Sequence, residues 1–204
     1  LSNVINASNP INLDWSLDGF RHEKSLKTEN SMYSYYYFKS EEEVDYLNAG
    51  NSDVINDVDW VAYKQHFFSS SLLTDTPFNK ATVTSTDLVL NEETDTVFTK
   101  RYELKTPLEL SNGELNYNMK WFYGPSDYNL LKTYEDTDLD QTADLGWGIF
   151  GFLNRTAFYP VFNFLQGLLS NYGLIIILMT IVVRLIMSPL VYKSYLSSAK
   201  MKVI

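Results

Sequence analysis

Cysteine is absent from the 204 residues, and histidine occurs only twice. Without a thiol the chain has no disulfide framework, no thiolate nucleophile and no thiolate metal site, an absence that suits either face of a membrane. His22 and His66 lie 44 positions apart and form no metal-ligand spacing. No charged head followed by an apolar core opens the chain, so LSNVINASNP is not a signal peptide. With KMKVI at the other end, the chain reads as an internal piece of a longer protein. Acid is missing from the last 60 residues. Asp144 is the final carboxylate, so residues 1–144 hold all 25 acids against 11 basic groups, net −14, while the remainder carries five basic groups and none of the opposite sign. Two kinds of protein are joined end to end. The basic positions are too scattered to grip a phosphate backbone, and the acidic region repels one, which excludes nucleic acid as a target.

The acidic part favours strands. MYSYYYFK (residues 32–39) is a tyrosine-rich run with weak alternation and reads as a strand, as do TVTSTDLVL and DTVFTKRYEL. EEEVDYLNAGNSDVINDVD, charged and punctuated by Asn and Gly, reads as a solvated loop or short helix, and its acids lack the spacing of a calcium loop. Around SNGE (111–114), Asn112 and Gly113 suit a type I′ turn. That turn sets Leu110 against Leu115, Leu108 against Tyr117, Thr106 against Met119 and Leu104 against Trp121. One apolar face and one polar face result, with Pro107 marking an edge strand or a bulge. The region is expected to be an antiparallel β-sheet or sandwich over residues 1–144. In DWVAYKQHFF (59–68), a general base would need an oriented partner that sequence proximity does not supply. The expectation is structural: Trp60, Phe67 and Phe68 pack, and His66 is hydrogen-bonded.

From residue 145 the pattern changes. Arg155, Tyr159, Asn163, Gln166 and Ser170 recur at spacings of four, four, three and four, opposite Leu153, Ala157, Val161, Phe164, Leu165 and Leu168. This is an amphipathic helix over 145–171, suited to a membrane interface, with Trp147, Arg155, Tyr159 and Tyr172 as anchors. The bland alternative is a helix packed on the soluble sheet. Gly173 to Tyr192 gives 20 residues, about 30 Å of helix and the thickness of a bilayer core. The expected transmembrane helix occupies 172–192, although a buried helix of a soluble protein satisfies the same count. Lys193, Lys200 and Lys202 follow it and favour the cytoplasmic side, which puts the acidic domain outside the cytoplasm. Within the span Thr180, Arg184 and Ser188 form a polar stripe. An arginine near mid-bilayer costs about 2.5–3.5 kcal/mol even on the lenient insertion scale, so a water-accessible cavity completed by other helices suits it better than lipid. Pairing with a carboxylate elsewhere in a bundle is the structural alternative. Pro189 frees the carbonyl of Leu185 and marks a kink or a point of water entry.

The run NYGLIIILMTIVVRLIMSPLVYKSYLSSAKM, preceded by LGWGIFGFLN and more distantly by WVAYKQHFF and WFYGPSDYNLL, resembles the YidC/Oxa1/Alb3 family of membrane protein insertases. The resemblance covers most of residues 55–204. It implies a large β-sandwich outside the bacterial inner membrane, an interfacial helix at 145–171, and residues 193–204 as the start of a cytoplasmic helical hairpin. It further implies a groove open to the cytoplasm and to lipid. The family's essential arginine falls on Arg184 and a groove-lining threonine on Thr180. Substrates would be nascent membrane proteins, handled alone or with the Sec translocon, with the ribosome near the cytoplasmic regions and lipid around the rest. No cofactor, nucleotide or covalent chemistry is implied. A multi-helix transporter or channel using the arginine for solute or ion binding is the alternative, and a single-pass receptor or anchor using it as an assembly handle is a third reading.

Overall fold

The computed structural model describes residues 11–47, 50–95, 97–110, 114–143, 145–146 and 148–201. The chain divides into two compact units, residues 1–143 and 144–204. In the first unit the order is β1 (Ile11–Phe20), α1 (Leu26–Thr28), a π-helical turn (Glu29–Tyr33), β2 (Tyr35–Ser40), β3 (Glu43–Leu47), β4 (Ser52–Ile55), β5 (Val58–Lys64), β6 (Phe68–Phe78), β7 (Ala81–Asp87), β8 (Phe98–Leu108) and β9 (Met119–Pro125). α2 (Tyr128–Lys132) and a 3-10 turn (Leu139–Thr142) complete it. The strands form two antiparallel sheets, β1-β8-β7-β4 and β3-β2-β5-β6-β9, which makes the unit a β-sandwich.

The core follows from strand periodicity. In β8, Tyr102, Leu104, Thr106 and Leu108 are buried, while Arg101 and Lys105 are exposed, so one face meets the opposite sheet. β5 is buried on both faces because it lies mid-sheet under two layers. Val61 and Tyr63 enter the inter-sheet core with Tyr36, Leu72, Phe78, Val83, Tyr102 and Leu104. Trp60 and Ala62 point the other way, into a second core roofed by Leu131, Leu139 and Ala143.

Several expectations change here. The turn at 111–113 lies outside the described residues, but the strands flanking it do not pair with each other. Leu104 faces Trp15 and Val83, Thr106 faces Leu13, and Leu108 faces Ile11. Met119 and Trp121 pair instead with Thr74 and Leu72, so β8 and β9 belong to different sheets. Trp121, expected on the buried face, is 45% exposed. Pro107 occupies a local edge: β7 accompanies β8 only as far as Lys105, leaving β1 as its neighbour at Pro107. The charged stretch expected as loop or short helix contains β3 and β4. Both are short edge strands, where Glu43, Asp45 and Asp53 are compatible with one-sided pairing. Tyr35–Ser40 is a strand as expected, but Met32 belongs to the π-helical turn. Trp60 is buried and His66 Nδ1 is hydrogen-bonded to the Glu23 carboxylate, which accepts at 2.7 Å, whereas Phe67 and Phe68 are more than half exposed. The turn that bonds the Gln65 amide to the Phe68 carbonyl puts them at the very end of the sheet, Phe67 in the turn and Phe68 as the first residue of β6.

One end of the sandwich holds a buried polar cluster. The fully buried Glu29 carboxylate accepts the backbone N–H of His22 and Glu23 at 2.9 and 3.1 Å. Asn30 donates to Asp87 and to the Thr99 carbonyl. Lys100, also fully buried, donates its ammonium to the carbonyls of Asn30 and Ser34 and so pins the π-helical turn to β8. Burial lowers the Lys100 pKa to about 8, with Asp87 opposing the shift. The unfolded chain therefore binds more protons than the folded one between about pH 8 and the ordinary lysine value, and stability from this group rises with pH across that window. Tyr36, Tyr63 and Tyr102 act oppositely. Burial raises their pKa values, so above about pH 10 only the unfolded state ionises its tyrosines and stability falls. Unfolding free energy measured by urea titration is expected to rise by about 2 kcal/mol from pH 7 to 10 and then decline. In Lys100→Met the rising limb should vanish and the declining one remain; a rising limb that survives the substitution assigns it to another group.

Candidate functional site

The second unit is helical. α3 (Gly148–Leu153), a π-helical turn (Asn154–Phe158) and α4 (Tyr159–Leu168) run without interruption and precede α5 (Tyr172–Met201). α3 starts from a glycine-dependent turn. Gly146 has φ +86°, and a Cβ on Gly151 would lie 2.1 Å from the Gly146 carbonyl oxygen, so only glycine fits there. Asn154 closes the same turn by donating to the Leu145 carbonyl at 2.7 Å. Pro160 brings no amide hydrogen, and the wider turn just before it bonds the Tyr159 amide to the Asn154 carbonyl. Ile149, Phe150 and Phe152 are each at least 65% exposed. Arg155 is exposed and Tyr159 half-buried; Ser170, expected on the polar side of this helix, lies beyond its end at Leu168. Trp147 falls outside the described residues.

Asn171 begins α5. Its side-chain oxygen accepts the amides of Gly173 and Leu174 at 2.9 and 3.3 Å, an N-cap that supplies partners to two of the unsatisfied donors of the first turn. Tyr172 accepts a hydrogen bond from Gln166 of α4 at 2.9 Å, tying the connection together. Among the described residues α5 is the one helix long and apolar enough to cross a membrane, over Tyr172–Pro189. The helix continues unbroken through Lys193 to Met201, so the apolar span and the basic flank share one rod of about 45 Å. Lys193 is exposed, Lys200 is helical, and Lys202 lies outside the described residues.

The polar stripe is not three equivalent groups. Thr180 Oγ1 donates to the Ile176 carbonyl one turn back at 2.8 Å. Pro189 cannot donate to the Leu185 carbonyl, and Ser188 Oγ fills that vacancy at 2.9 Å. Both hydroxyl protons are therefore committed to their own helix, which carries on through the proline. Arg184 is what remains of the stripe to offer donors outward. It is exposed and lines a concavity of about 450 Å³ between α4 and α5 with Phe162, Ile176, Met179, Thr180 and Val183. The chain has no carboxylate after Asp144, so α3, α4 and α5 cannot neutralise this guanidinium themselves. The sequence left the Leu185 carbonyl free at Pro189; the Ser188 bond to it, like the contribution of Phe162 to the concavity, is visible only in the structure.

Among the described residues no cluster of His, Asp and Glu is arranged to hold a metal ion. Comparison with known proteins gives a consistent result. The model of the YidC periplasmic domain matches residues 9–159. Membrane protein insertase YidC of Parabacteroides distasonis is 34% identical over 97% of this chain. The protein of the same name in Porphyromonas gingivalis is 35% identical over 94%, and that of Phocaeicola vulgatus 32% identical over 97%. The chain spans about one third of the length of these relatives, 32%, 32% and 33% respectively.

Proposed function

Because this chain belongs to the YidC family of membrane protein insertases, we propose that it forms the core of an insertase that passes substrate segments sideways from a hydrophilic groove into lipid. The observation that carries the reading is Arg184: a cation with outward donors, on an apolar helix of spanning length, with no carboxylate on its neighbouring helices. The groove requires further helices of the longer protein. Arg184 holds the acidic or polar tail of a single-span substrate for a moment, while lipid solvates the substrate's apolar helix. A wet groove shortens the hydrocarbon that the tail must cross and so lowers the desolvation barrier. Thr180 and Ser188 line the groove through their carbonyl-bonded hydroxyl oxygens, which can still accept. Pro189 leaves the helix one backbone donor short beside the groove, the place where a kink would form.

On this reading the protein lies in the bacterial inner membrane, multi-pass in its full length, with the acidic sandwich in the periplasm. Trp147, Arg155, Tyr159 and Tyr172 anchor the amphipathic segment at the lipid interface, and Lys193, Lys200 and Lys202 face the cytoplasm. Nascent membrane proteins are the substrates, with the Sec translocon, the ribosome and lipids as partners. The driving force is burial of the substrate's apolar span, assisted by the membrane potential, without cofactor or covalent step. The test is complementation: in cells depleted of their own insertase, the full-length protein should restore protease protection of a single-span substrate. Expression at normal level without restored insertion overturns the reading.

A further inference from the structure

An aromatic residue stands on the polar side of α4. Tyr159, Phe162 and Gln166 are spaced by three and four, so their side chains share one side of the helix. Val161, Phe164, Leu165 and Leu168 cover the remainder, and Phe164 and Leu168 are 67% and 66% exposed, as suits a side that lipid covers. Lipid contact therefore accounts for Phe164 and Leu168 and leaves Phe162 unexplained.

The helix pairing supplies the reason. Gln166 donates to the Tyr172 hydroxyl at 2.9 Å and so turns this side of α4 toward α5. Phe162, one turn earlier, is half-buried and walls the concavity of about 450 Å³ in which Arg184 lies. A spanning helix about 10 Å across and 30 Å long fills about 2,400 Å³, so this space admits the side chains of a turn or so and not a whole span. Apart from Arg184 its lining is apolar or, at Thr180, has its hydroxyl proton committed to the Ile176 carbonyl. No carboxylate follows Asp144, so the positive charge at its edge is unopposed within the helical unit. Both features select a ligand in which an acid adjoins bulky apolar side chains.

We infer that Phe162 is a substrate-contacting residue: the first apolar turn of a substrate span, next to the acid held at Arg184, packs against its ring. On this inference α4 serves lipid with one side and the substrate with the other, and Gln166 is a positioning residue that keeps the ring at the concavity through Tyr172. The inference rests on the insertase reading and extends the groove from α5 to α4.

The test uses the full-length protein in membranes, with the photocrosslinker p-benzoylphenylalanine in place of Phe162 and, as a control on the lipid side of the same helix, in place of Phe164. During insertion of an acid-tailed single-span substrate, substrate adducts at position 162 should exceed those at 164 at least fivefold. Phe162→Ala should slow a substrate whose first apolar turn is leucine at least threefold more than one whose first turn is alanine, because only the former loses a contact; a merely structural role slows both alike. Equal adducts at both positions overturn the proposal, as does equal slowing of both substrates. Normal insertion without an adduct at 162 removes Phe162 and leaves the Arg184 groove standing. If the protein inserts nothing, the insertase reading falls by itself, and the probe becomes a synthetic peptide of acidic residues followed by a leucine turn, added to the full-length protein in nanodiscs. Absence of its adduct at 162 then overturns the contact as well.

Discussion

Replacing Arg184 with alanine in the full-length protein is expected to cut insertion of an acid-tailed, single-span substrate at least tenfold at unchanged protein level, and Arg184→Lys to retain much of it. A hydrogen bond to a charged group contributes about 1.5–3 kcal/mol, which is tenfold or more in an equilibrium. Nothing nearby can substitute. The Thr180 and Ser188 hydroxyl protons are held by Ile176 and Leu185 carbonyls, and the rest of the concavity is apolar. Lysine keeps the charge but loses the planar fork, so a partial deficit is expected for substrates that use two carboxylate oxygens. Protease protection of the tail is the measurement. Normal insertion by the alanine protein would remove Arg184 from the mechanism.

The second large effect is on stability. Trp60→Ala should destabilise the sandwich by about 3–5 kcal/mol, read as a lowered urea midpoint by circular dichroism. Trp60 is 1% exposed and fills the core beneath α2 and the 3-10 turn, and its indole N–H donates to the Thr137 carbonyl at 2.6 Å. Alanine leaves both a cavity and a carbonyl without its partner. Trp60→Phe keeps most of the ring and should lose only about 1–2 kcal/mol, chiefly the hydrogen bond. A loss below about 1 kcal/mol for alanine would mean that the helical cover collapses onto the sheet and refills the space.

How much of this was legible depended on the range of the interaction involved. The alternation of Tyr102, Leu104, Thr106 and Leu108 announces a half-buried strand, and the structure buries those four. The Asn-Gly pair suggested where β8 should find its partner and was misleading, because turn chemistry cannot say which sheet the next strand joins. β3 and β4 were hidden by their own charges: acids that suggest a loop are also what an edge strand carries. Phe67 and Phe68 resemble core residues by type, yet they sit at a sheet end that only the β5–β6 register defines.

By itself, the sequence determined the features governed by neighbours along the chain. These are the split between an acidic strand-rich region and an acid-free helical one, and the apolar span around Arg184 with its polar stripe. Both rest on composition and short-range periodicity, where side-chain chemistry acts directly. Tertiary structure alone decided the partition of the described strands into two sheets, the burial of Lys100, the second core over Trp60 and the exposure of Trp121. Each of these joins residues far apart in the chain, and many pairings satisfy the same local pattern. What selects among them is the packing of whole faces, a property that no segment possesses until its partners are in place.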